Sequence, residues 1–549
     1  MKQRVVLTLV LALSGFLLAA DDNAIVQTYL NKARELHDRG ASAEAERLLR
    51  ESLDLAPDNS ETLFLLGSLL CDVQATTFSG LPLMERALLK KTWSVTGPAA
   101  AREALAHVYV RTRRYRDAAR LLEALAASRV SSPAMEISRA QAAAGLGNFR
   151  RADDLFSAAE RIYPGASEIL LKHIALLWSK GIRTRVYRLA ERGMRDFPDD
   201  PRFLYYVLGR PAKPAVKNNL FTTYKEKGGG NPRVLMFLLD LDQTAFGQAV
   251  EFSFNHGAAS DVFLLESAAA KLRPDKKKFS LLTAAWGTGN GEKTVDADAD
   301  GFYEEKYVIE SGEVMKALFD ANQDGLIERE ILLKHNQPDQ VILRRSVEDE
   351  TSFRYNGYPR LAQAVWRSRN VTKTYEIVPD SLLFAAVKNI PAPADMSLRV
   401  RPAASGDFPD EKSVILRAWA LIEDPADTRL PRRKWDLYQG RKLVLHEDAD
   451  RNGTFERTVI YNNKGLALRG QVDHDGDGYA EITERYDNGR LVRLEYDANR
   501  DGRPEYDERV VEDVKEWDLD GDGVIDVRER RLPNGKPYFE YSGILRGLR

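Results

Sequence analysis

The sequence predicts an α + β multidomain fold, in which an N-terminal α-solenoid is followed by an all-β hairpin-repeat region. Three observations support this prediction. From Ile25 to about Pro201, apolar residues recur at helical spacing, and the pattern repeats about every 34 residues. After Lys278 the apolar residues alternate with polar ones, as in strands. Within this second region, one acidic phrase of nine residues occurs six times.

The composition is that of an ordinary globular protein with several domains. The 549 residues are enough for several hydrophobic cores, and 44% of them are apolar while 30% are charged. The 80 basic and 82 acidic residues nearly cancel, so the net charge indicates neither a nucleic acid nor an anionic membrane as partner. The single cysteine, Cys71, excludes an internal disulfide framework.

The first twenty residues have the layout of a secretory signal peptide. Lys2 and Arg4 precede an apolar run from Val5 to Leu18, and small residues lead to a cleavage site after Ala20. An uncleaved anchor is the alternative, although the run is shorter than the roughly 20 residues that span a bilayer. We therefore expect an exported protein without a transmembrane span in its mature form. The expected location is the periplasm, with secretion as the alternative, and an association with the cell envelope is compatible with either.

Helix pairs of similar sequence make up the first region. They begin near Val26, Ser60, Ala99, Pro133 and Ser167, with steps of 34, 39, 34 and 34 residues. Small residues recur where two helices cross, since helix backbones approach to about 8 Å only when a side chain there is nearly absent. These small positions are Ala33, Ala45, Gly67, Ala106, Ala118, Ala140, Ala152 and Ala159. Glycine occupies the turns of three pairs, at Gly40, Gly147 and Gly181. The pairs depart from one another by an insertion around Gln74–Gly80, by Arg113 in a turn and by Val186 at a small position.

This helix–turn–helix period with its small crossing positions resembles the tetratricopeptide repeat (TPR) family. The resemblance implies a solenoid whose first helices line a concave groove, and in that family the groove binds a peptide or a partner protein. It implies no catalysis. The residues at groove-type positions are Arg34, His37, His107, Gln141, Leu171 and Trp178. For each of them, a solvated or partly packed surface role is the alternative.

The acidic phrase reads Asp-x-(Asp/Asn)-x-(Asp/Asn)-Gly-x-x-(Glu/Asp). Its six copies are loop 1 (Asp296–Glu304), loop 2 (Asp320–Glu328), loop 3 (Asp448–Glu456), loop 4 (Asp473–Glu481), loop 5 (Asp497–Glu505) and loop 6 (Asp518–Asp526). Alternating strands flank the loops, and glycine-containing turns such as Asn488-Gly489 and Asn534-Gly535 join the strands into hairpins. One unit of the predicted array is therefore loop, strand, tight turn and strand.

The chemistry of these loops favours calcium. Carboxylates at positions 1, 3 and 5 converge on one point, and glycine at position 6 lets the backbone reverse so that a carbonyl at position 7 joins them. The pattern resembles the calcium loop of EF-hand and dockerin proteins. The last three copies also carry an acid at position 12, whereas the first three rely on position 9. The candidate ligands are Asp296, Asp298, Asp300, Glu304, Asp320, Asn322, Asp324, Glu328, Asp448, Asp450, Asn452, Glu456, Asp473, Asp475, Asp477, Glu481, Glu484, Asp497, Asn499, Asp501, Glu505, Glu508, Asp518, Asp520, Asp522, Asp526 and Glu529.

Metal-free turns, in which Asp and Asn side chains cap their own backbone, are the alternative to calcium. Against this alternative, three or four carboxylates within nine residues repel one another unless a cation offsets their charge. We therefore expect structural calcium of low affinity, at about 10⁻⁴–10⁻³ M by analogy with extracellular modules. Strands rather than helices flank the loops, so the helix opening of an EF-hand sensor is not expected. Magnesium fits less well, because it keeps its waters and a stricter octahedron.

The expected organisation has six parts. They are a signal peptide at 1–20, TPR-like repeats at 21–200, a helical cap at 201–285, β-hairpin repeats with two acidic loops at 286–346, an irregular β or linker region at 347–437, and β-hairpin repeats with four acidic loops at 438–549.

The favoured hypothesis is an exported, non-enzymatic scaffold or adaptor that binds a partner protein through its helical repeats. The sequence has neither a His-Glu-x-x-His zinc motif nor a Gly-x-Ser-x-Gly nucleophile motif. The segment 287–294 differs from a phosphate-binding loop in its spacing and lacks a following helix. The alternative is a glycan-binding module or hydrolase of the cell envelope, with its active region in the β part.

Overall fold

The structure is a computed structural model that describes most of the chain. The described residues are 24–128, 131–287, 290–297, 300–311, 313–335, 337–379, 387–389, 400–402, 408–512, 514–532 and 536–542. The expected signal peptide, the candidate ligand Asp298 and the turn at 534–535 lie outside them. The chain divides into two compact units. The first comprises Met1–Gly312, Leu318–Ile327 and Ala392–Ser397, and the second comprises Glu313–Ala317, Glu328–Pro391 and Leu398–Arg549.

Helices form most of the first unit. Their bounds are 24–38 (α1), Ser42–Leu55 (α2), Ser60–Cys71 (α3), Thr77–Leu89 (α4), Gly97–Arg111 (α5), Tyr115–Ala127 (α6), Pro133–Gly145 (α7), Phe149–Ile162 (α8), Ser167–Ser179 (α9), Arg183–Asp196 (α10), Pro201–Leu208 (α11), Pro214–Glu226 (α12), Gln243–Asn255 (α13), Val262–Leu272 (α14) and Lys276–Trp286 (α15). In the part of the chain that the structure describes, no helix combines the length and apolar character needed to cross a membrane.

The helix pairs begin where the sequence predicted them. Helices α3, α7 and α9 start at Ser60, Pro133 and Ser167, and α5 starts two residues before the predicted Ala99. The first helices α3, α5, α7 and α9 contact one another in order, and each second helix also contacts the next first helix. This arrangement is the predicted α-solenoid.

Side-chain caps define several helix starts. The Asn59 side chain accepts a hydrogen bond from the Thr62 N–H at 2.9 Å, and the Ser132 hydroxyl accepts one from the Met135 N–H at 3.0 Å. Each cap satisfies a backbone donor that has no partner within its own helix. In the turn between α5 and α6, Arg113 has a φ of 58°, where other pairs have glycine.

The tightest helix crossing in the early repeats lies between α3 and α4. A Cβ atom added at Gly67 would lie 2.8 Å from the Gly80 carbonyl oxygen and 2.9 Å from the Met84 nitrogen. The predicted need for a small residue at Gly67 is therefore confirmed, because a larger residue would clash with backbone atoms of α4. The sequence did not identify Gly80 as its partner.

A buried ionic network joins α8, α9 and α10. The His173 side chain is 1% exposed; its Nε2 lies 2.7 Å from a carboxylate oxygen of Asp153, and its Nδ1 contacts Glu160. Arg185 also pairs with Asp153 at 2.7 Å, and Arg192 pairs with Glu160. Burial alone would raise the pKa of both carboxyls, but the hydrogen bonds from His173 and the arginines outweigh it and hold both pKa values below their ordinary range.

We expect this network to make the stability of the solenoid pH-dependent. A carboxyl whose pKa is lower in the folded state than in the unfolded state stabilises the fold above the unfolded pKa. That contribution is lost as the pH falls through the folded pKa. Asp153→Asn should therefore destabilise the protein at neutral pH, and the difference from the wild type should shrink below the ordinary carboxyl pKa of about 4.

The measurement is chemical unfolding of wild type and variant across this pH range. Asp154→Asn is the matched control, because Asp154 is the next residue on the same helix and is exposed. A difference between the wild type and Asp153→Asn that stays constant on acidification would rule out the ionic explanation.

Helices α11 to α15 surround a separate apolar cluster in the first unit. Its largest fully buried members are Phe221, Tyr224 and Phe246, each at most 2% exposed. Within the predicted helical cap, the segment Pro232–Phe237 is a 3-10 helix and not an α-helix. Pro232 begins this short turn, and the Asn231 side chain caps it by accepting from the Arg233 N–H at 2.9 Å. Residues 201–286 therefore form a compact helical subregion, as predicted for a cap.

Antiparallel strands form the second region of the chain. Their bounds are Gly291–Val295 (β1), Glu305–Glu310 (β2), Glu313–Phe319 (β3), Arg329–Lys334 (β4), Gln337–Ser346 (β5), Asp349–Tyr355 (β6), Leu361–Arg367 (β7), Val371–Ile377 (β8), Val387–Asn389 (β9), Val400–Pro402 (β10), Ala418–Pro425 (β11), Arg432–Tyr438 (β12), Arg441–Asp448 (β13), Arg457–Tyr461 (β14), Ala467–Val472 (β15), Ile482–Asp487 (β16), Arg490–Tyr496 (β17), Tyr506–Val511 (β18), Val514–Asp518 (β19), Val527–Arg531 (β20) and Pro537–Tyr541 (β21). The short helix Glu411–Arg417 (α16) precedes β11.

Most strands of the second unit pair with their neighbours in the chain, which makes the sheet a meander. The exception is β8, which pairs with β11, while β9 and β10 form a separate two-stranded ladder. Strands β6, β7, β8, β11 and β12 continue the meander through the segment 347–437, for which the sequence predicted only irregular β structure.

One face of this sheet carries the core of the second unit. Directly opposed residues on successive strands are Ile331, Val341, Phe353, Ala364, Tyr375, Leu421, Trp435, Leu445 and Val459. All of these except the half-buried Trp435 are at most 5% exposed.

At the other end of the hairpins from the acidic loops, Asn488 and Gly489 have φ values of 50° and 80°, which confirms the predicted Asn-Gly turn.

Candidate metal centres

The acidic loops share one set of internal hydrogen bonds, which loop 4 shows in full. The Asp473 carboxylate at position 1 accepts from the N–H groups of Gly476 at 2.8 Å, Asp477 at 3.2 Å and Gly478 at 2.8 Å. The Asp477 carboxylate at position 5 accepts from the Tyr479 N–H at 2.9 Å. Each loop is thus folded around the carboxylate of its first residue, and glycine at position 6 is needed because its φ is positive, 93° at Gly478.

The acid at position 9 closes the loop. The Glu481 carboxylate accepts from the His474 N–H at position 2, at 2.8 Å. The same bond recurs in loops 1, 3, 5 and 6, from Ala297 to Glu304, Ala449 to Glu456, Ala498 to Glu505 and Leu519 to Asp526, at 2.8–3.0 Å. Each of these bonds uses one of the two carboxylate oxygens, and in loop 5 the other oxygen of Glu505 accepts from the Asn499 N–H at 3.2 Å.

Among the residues that the structure describes, carboxylate oxygens come together in three of the loops. The groups whose candidate ligand atoms lie within 4.8 Å of one another are Asp473, Asp475, Asp477 and Glu481 in loop 4, Asp448, Asp450 and Glu456 in loop 3, and Asp518, Asp520 and Asp522 in loop 6. Loops 2 and 5 have asparagine at position 3, namely Asn322 and Asn499, which accepts from the N–H of position 5 at 3.0 and 2.8 Å. An asparagine oxygen is also a calcium ligand, although it carries no charge.

Loop 3 contains the strongest indication of a cation. Asp448 is fully buried, and its Oδ1 atom has no hydrogen-bond partner. The Oε1 atom of Glu456, in the same cluster, is also buried without a partner. A buried carboxylate oxygen without a partner costs free energy. Two of them facing one site, beside Asp450, form a donor set that fits a hard divalent cation.

The structure places the predicted position-12 ligands Glu484, Glu508 and Glu529 in the strands that follow the loops. Glu484 lies in β16, is 8% exposed, and accepts hydrogen bonds from Arg457 at 3.0 Å and from the Tyr486 hydroxyl at 2.8 Å. Glu508 accepts from the Tyr506 hydroxyl at 3.1 Å, and Glu529 lies in β20 opposite Lys515. The physical reason is strand geometry: a strand rises about 3.3 Å per residue, so position 12 is carried about 10 Å beyond position 9. Position 9 closes loops 1, 3, 4, 5 and 6, whereas the sequence assigned the completing role to position 9 alone only in the first three copies.

Loops 1 and 2 contact the turns of the helical repeats within the first unit. The Gln74 side chain donates to Asp320 at 2.8 Å and to the Tyr303 carbonyl at 2.7 Å, and it accepts from the Tyr303 N–H at 3.0 Å. Arg113 pairs with Glu304 and donates to the Ala321 carbonyl at 2.7 Å. Asp320 is 1% exposed, and burial raises its pKa even though Gln74 opposes the shift. The two loops are therefore fixed to the solenoid by specific polar contacts.

The other candidate ligands of loops 1 and 2 accept hydrogen bonds mainly from groups within their own loops. Asp296 accepts from the N–H groups of Asp300 at 3.3 Å and Gly301 at 3.1 Å, which is the shared position-1 pattern. Asp324 accepts from the Leu326 N–H at 2.8 Å and from the Asn322 amide at 3.1 Å. Glu328 belongs to the second unit.

Loops 4 and 5 contact each other. Arg500, at position 4 of loop 5, pairs with Asp477 of loop 4, and the Tyr479 hydroxyl of loop 4 donates to Asp497 of loop 5 at 2.8 Å. The Tyr479 N–H and Arg500 both lower the pKa of Asp477. Asp501 accepts from the Arg503 N–H at 2.8 Å, as position 5 does elsewhere. A protein cation thus already offsets part of the charge of loop 4.

The predicted groove residues fall into two groups. Leu171 is 6% exposed and packs in the solenoid core. Trp178 is half-buried, packs against Tyr206 and lies under the Arg183 guanidinium. Arg34 pairs with the fully buried Glu61, which makes its role structural.

The other three predicted groove residues remain accessible. His37 and His107 are exposed, and Gln141 is half-buried. Loss of solvent lowers the pKa of His107, and the charges of Arg111 and Lys172 lower it further. Since Lys172 is on α9 and His107 on α5, these groups approach across the layer of first helices.

Sequence reasoning missed the residues that connect the loops to their surroundings. Gln74 lies in the insertion of the second helix pair, and Arg113 replaces a turn glycine in the third, so both departures from the repeat have a structural use. Arg500 gave no signal beyond being basic within an acidic phrase.

Of the known proteins compared with this chain, only solved structures are similar to it. None of the family models and none of the curated proteins matches the chain. A tetratricopeptide repeat protein from Parabacteroides merdae is 15% identical and covers 47% of this chain and 98% of its own, with a TM-score of 0.36. PilF of Pseudomonas aeruginosa is 14% identical, covers 48% of this chain and 99% of its own, and has a TM-score of 0.29. MamA of Desulfovibrio magneticus RS-1 is 16% identical, covers 31% of this chain and 94% of its own, and has a TM-score of 0.28.

Proposed function

We propose that this protein is an exported, non-enzymatic scaffold whose helical repeats bind a partner protein and whose hairpin loops are stabilised by calcium. The observation that carries the calcium part is the pair of buried, unpartnered oxygens of Asp448 and Glu456 in loop 3. Export rests on the leader-like sequence at 1–20, and the periplasm is its expected destination, with secretion as the alternative.

The residues that would hold calcium are the acids and asparagines at positions 1, 3, 5 and 9 of the loops. In loop 3 these are Asp448, Asp450, Asn452 and Glu456, and in loop 4 they are Asp473, Asp475, Asp477 and Glu481. A bound calcium ion offsets the repulsion among these carboxylates and links the end of one hairpin to the start of the next. The backbone N–H bonds to position 1 hold the loop in the conformation in which the acids converge.

The partner surface proposed is the layer of first helices around His107, Gln141 and Lys172. His107 and Lys172 are exposed, and Arg111 adds to the positive charge near His107. Complementarity favours a partner segment that carries acidic side chains.

Capture of a partner by the leader-free full chain tests this proposal. Lys172→Glu reverses one charge in the proposed groove, and Arg120→Glu reverses one on α6, where the Arg120 side chain is 78% exposed. We expect a partner from envelope extract to be lost with Lys172→Glu and retained with Arg120→Glu. Equal capture by both variants would show that this groove is not the partner surface.

A further inference from the structure

Four arginines stand side by side on one face of the β sheet in the second unit. The strand registers place Arg469 opposite Arg485, Arg485 opposite Arg493, and Arg493 opposite Arg509, on the successive strands β15 to β18. Neighbouring strands lie about 4.8 Å apart, so this arginine row extends over about 14 Å. Adjacent residues of a strand point to opposite faces, and Gly470, Glu484, Leu494 and Glu508 occupy the face that carries the core.

The charge of the row is only partly offset within the protein. Like charges directly opposite each other destabilise a strand pair, and here three consecutive pairs are Arg–Arg. Asp507 pairs with Arg493 at 2.8 Å and with Arg509 at 3.0 Å, and Glu495 pairs with Arg493 at 3.0 Å. Arg485 is 60% exposed and lies 3.4 Å from Glu495. Arg469 is exposed and has no polar partner among the residues described, and the Nε atom of Arg509 is buried without one.

A second row on the same face is polar. Gln471, Thr483 and Glu495 lie two residues along their strands from the arginines and are opposed in register, and Gln471 is also opposite Thr458 of β14. Hydroxyl, amide and carboxylate groups of this kind exchange hydrogen bonds with sugar hydroxyls. The face therefore combines a line of guanidinium groups, which bind carboxylates in bidentate fashion, with a line of hydrogen-bonding groups beside it.

We propose that this face binds a linear acidic polysaccharide. Its carboxylates would lie along Arg469, Arg485, Arg493 and Arg509, and its hydroxyl groups would lie along Gln471 and Thr483. The ligand runs across the strands, so that successive sugar units meet successive arginines. The exposed end of the row, at Arg469 and Arg485, contributes most of the attraction because its charges are least offset.

The surroundings of the row disfavour other polyanions. Single-stranded nucleic acids bind by stacking bases on aromatic rings, and the row has none. In chelator, a flat anionic membrane would also meet the acidic loops at the strand ends, whose carboxylates repel it. An acidic peptide gains backbone hydrogen bonds at a sheet edge, whereas the row lies on the face of four paired strands.

The test is binding of a galacturonic acid decamer to the leader-free full chain in the presence of a chelator. The chelator excludes calcium bridges, so the result does not depend on the proposed metal sites. Arg469→Gln with Arg485→Gln removes two exposed charges from the row. The control, Arg345→Gln with Arg429→Gln, removes two arginines that are 86% and 87% exposed elsewhere in the second unit. Thermal melting checks that both double variants are folded.

We expect the decamer to bind the wild type and the control equally and the row variant about tenfold more weakly, a loss of about 1.4 kcal/mol. Affinity should fall with added salt, and the row variant should lose roughly half of that salt dependence. The proposal would be overturned by no binding to the wild type, by equal binding by both double variants, or by equal binding of a neutral glucose decamer. Tighter binding of oligothymidylate, polyglutamate or phosphatidylglycerol vesicles than of the uronate would overturn it in favour of that class.

Discussion

Asp448→Asn should stabilise the protein in chelator and destabilise it, relative to the wild type, in calcium. Without a cation, the fully buried Asp448 carboxylate has an Oδ1 atom with no hydrogen-bond partner. The Oε1 atom of Glu456, in the same cluster, also has none. An asparagine removes the charge, and its amide can donate to Glu456. Relief of such a buried unsatisfied group corresponds to about 1–3 kcal/mol. With calcium present, the variant lacks one anionic ligand, so the cation binds less tightly and stabilises the fold less.

Urea unfolding in chelator and in millimolar calcium measures the change that Asp448→Asn makes to the free energy of unfolding in each condition. Asp487→Asn is the matched control, because Asp487 is an exposed carboxylate in a hairpin of the same unit. It should change stability little and equally in both conditions. If Asp448→Asn were destabilising to the same extent with and without calcium, the buried carboxylate would be a structural acceptor only, and loop 3 would not be a cation site.

Gly67→Ala should destabilise the solenoid although alanine is the better helix former. The added Cβ would lie within 3 Å of the Gly80 carbonyl oxygen and of the Met84 nitrogen. Both are backbone atoms of the facing helix, so only a shift of α4 relieves the contact. Overpacking of this kind costs about 1–3 kcal/mol, which exceeds the gain of about 1 kcal/mol that alanine gives in a helix.

Gly247→Ala provides the control with the opposite expected sign. Gly247 lies inside α13, and a Cβ atom there would meet nothing within 4 Å. The substitution should raise the free energy of unfolding by up to about 1 kcal/mol. Urea unfolding of the two variants side by side separates close packing from helix propensity, and a stabilising Gly67→Ala would contradict the packing of α3 on α4.

Local patterns predicted much of this fold. The spacing of small and apolar residues located the helix pairs, because a crossing of two helices needs a small residue such as Ala45 or Gly67 wherever it occurs. The Asn488-Gly489 pair located a hairpin turn, because its two positive φ values suit few other residues. The acidic phrase predicted the loop conformation, since the Asp at position 1 accepts hydrogen bonds from backbone N–H groups within the same nine residues.

Features that depend on distant parts of the chain could not be predicted. The spacing of Glu484 predicted a loop ligand, but its partner is Arg457, which lies two strands away. The Glu484 carboxylate reaches Arg457 over Gly470, because a Cβ atom at Gly470 would occupy the place of that carboxylate. The arginine row is equally invisible in sequence, because it arises from the registers of four strands. Gln74 became significant only when the structure brought Asp320 to it, 246 residues further along the chain.

The central claim is that the acids gathered at the hairpin joints hold calcium. Equilibrium dialysis of the leader-free chain against calcium at about 10⁻³ M tests it most directly, since weak extracellular sites fill in this range. The account predicts that each chain retains several calcium ions and that Asp448→Asn retains fewer. A chain that retains no calcium at this concentration would contradict the account and would leave the loops as turns stabilised by their own hydrogen bonds.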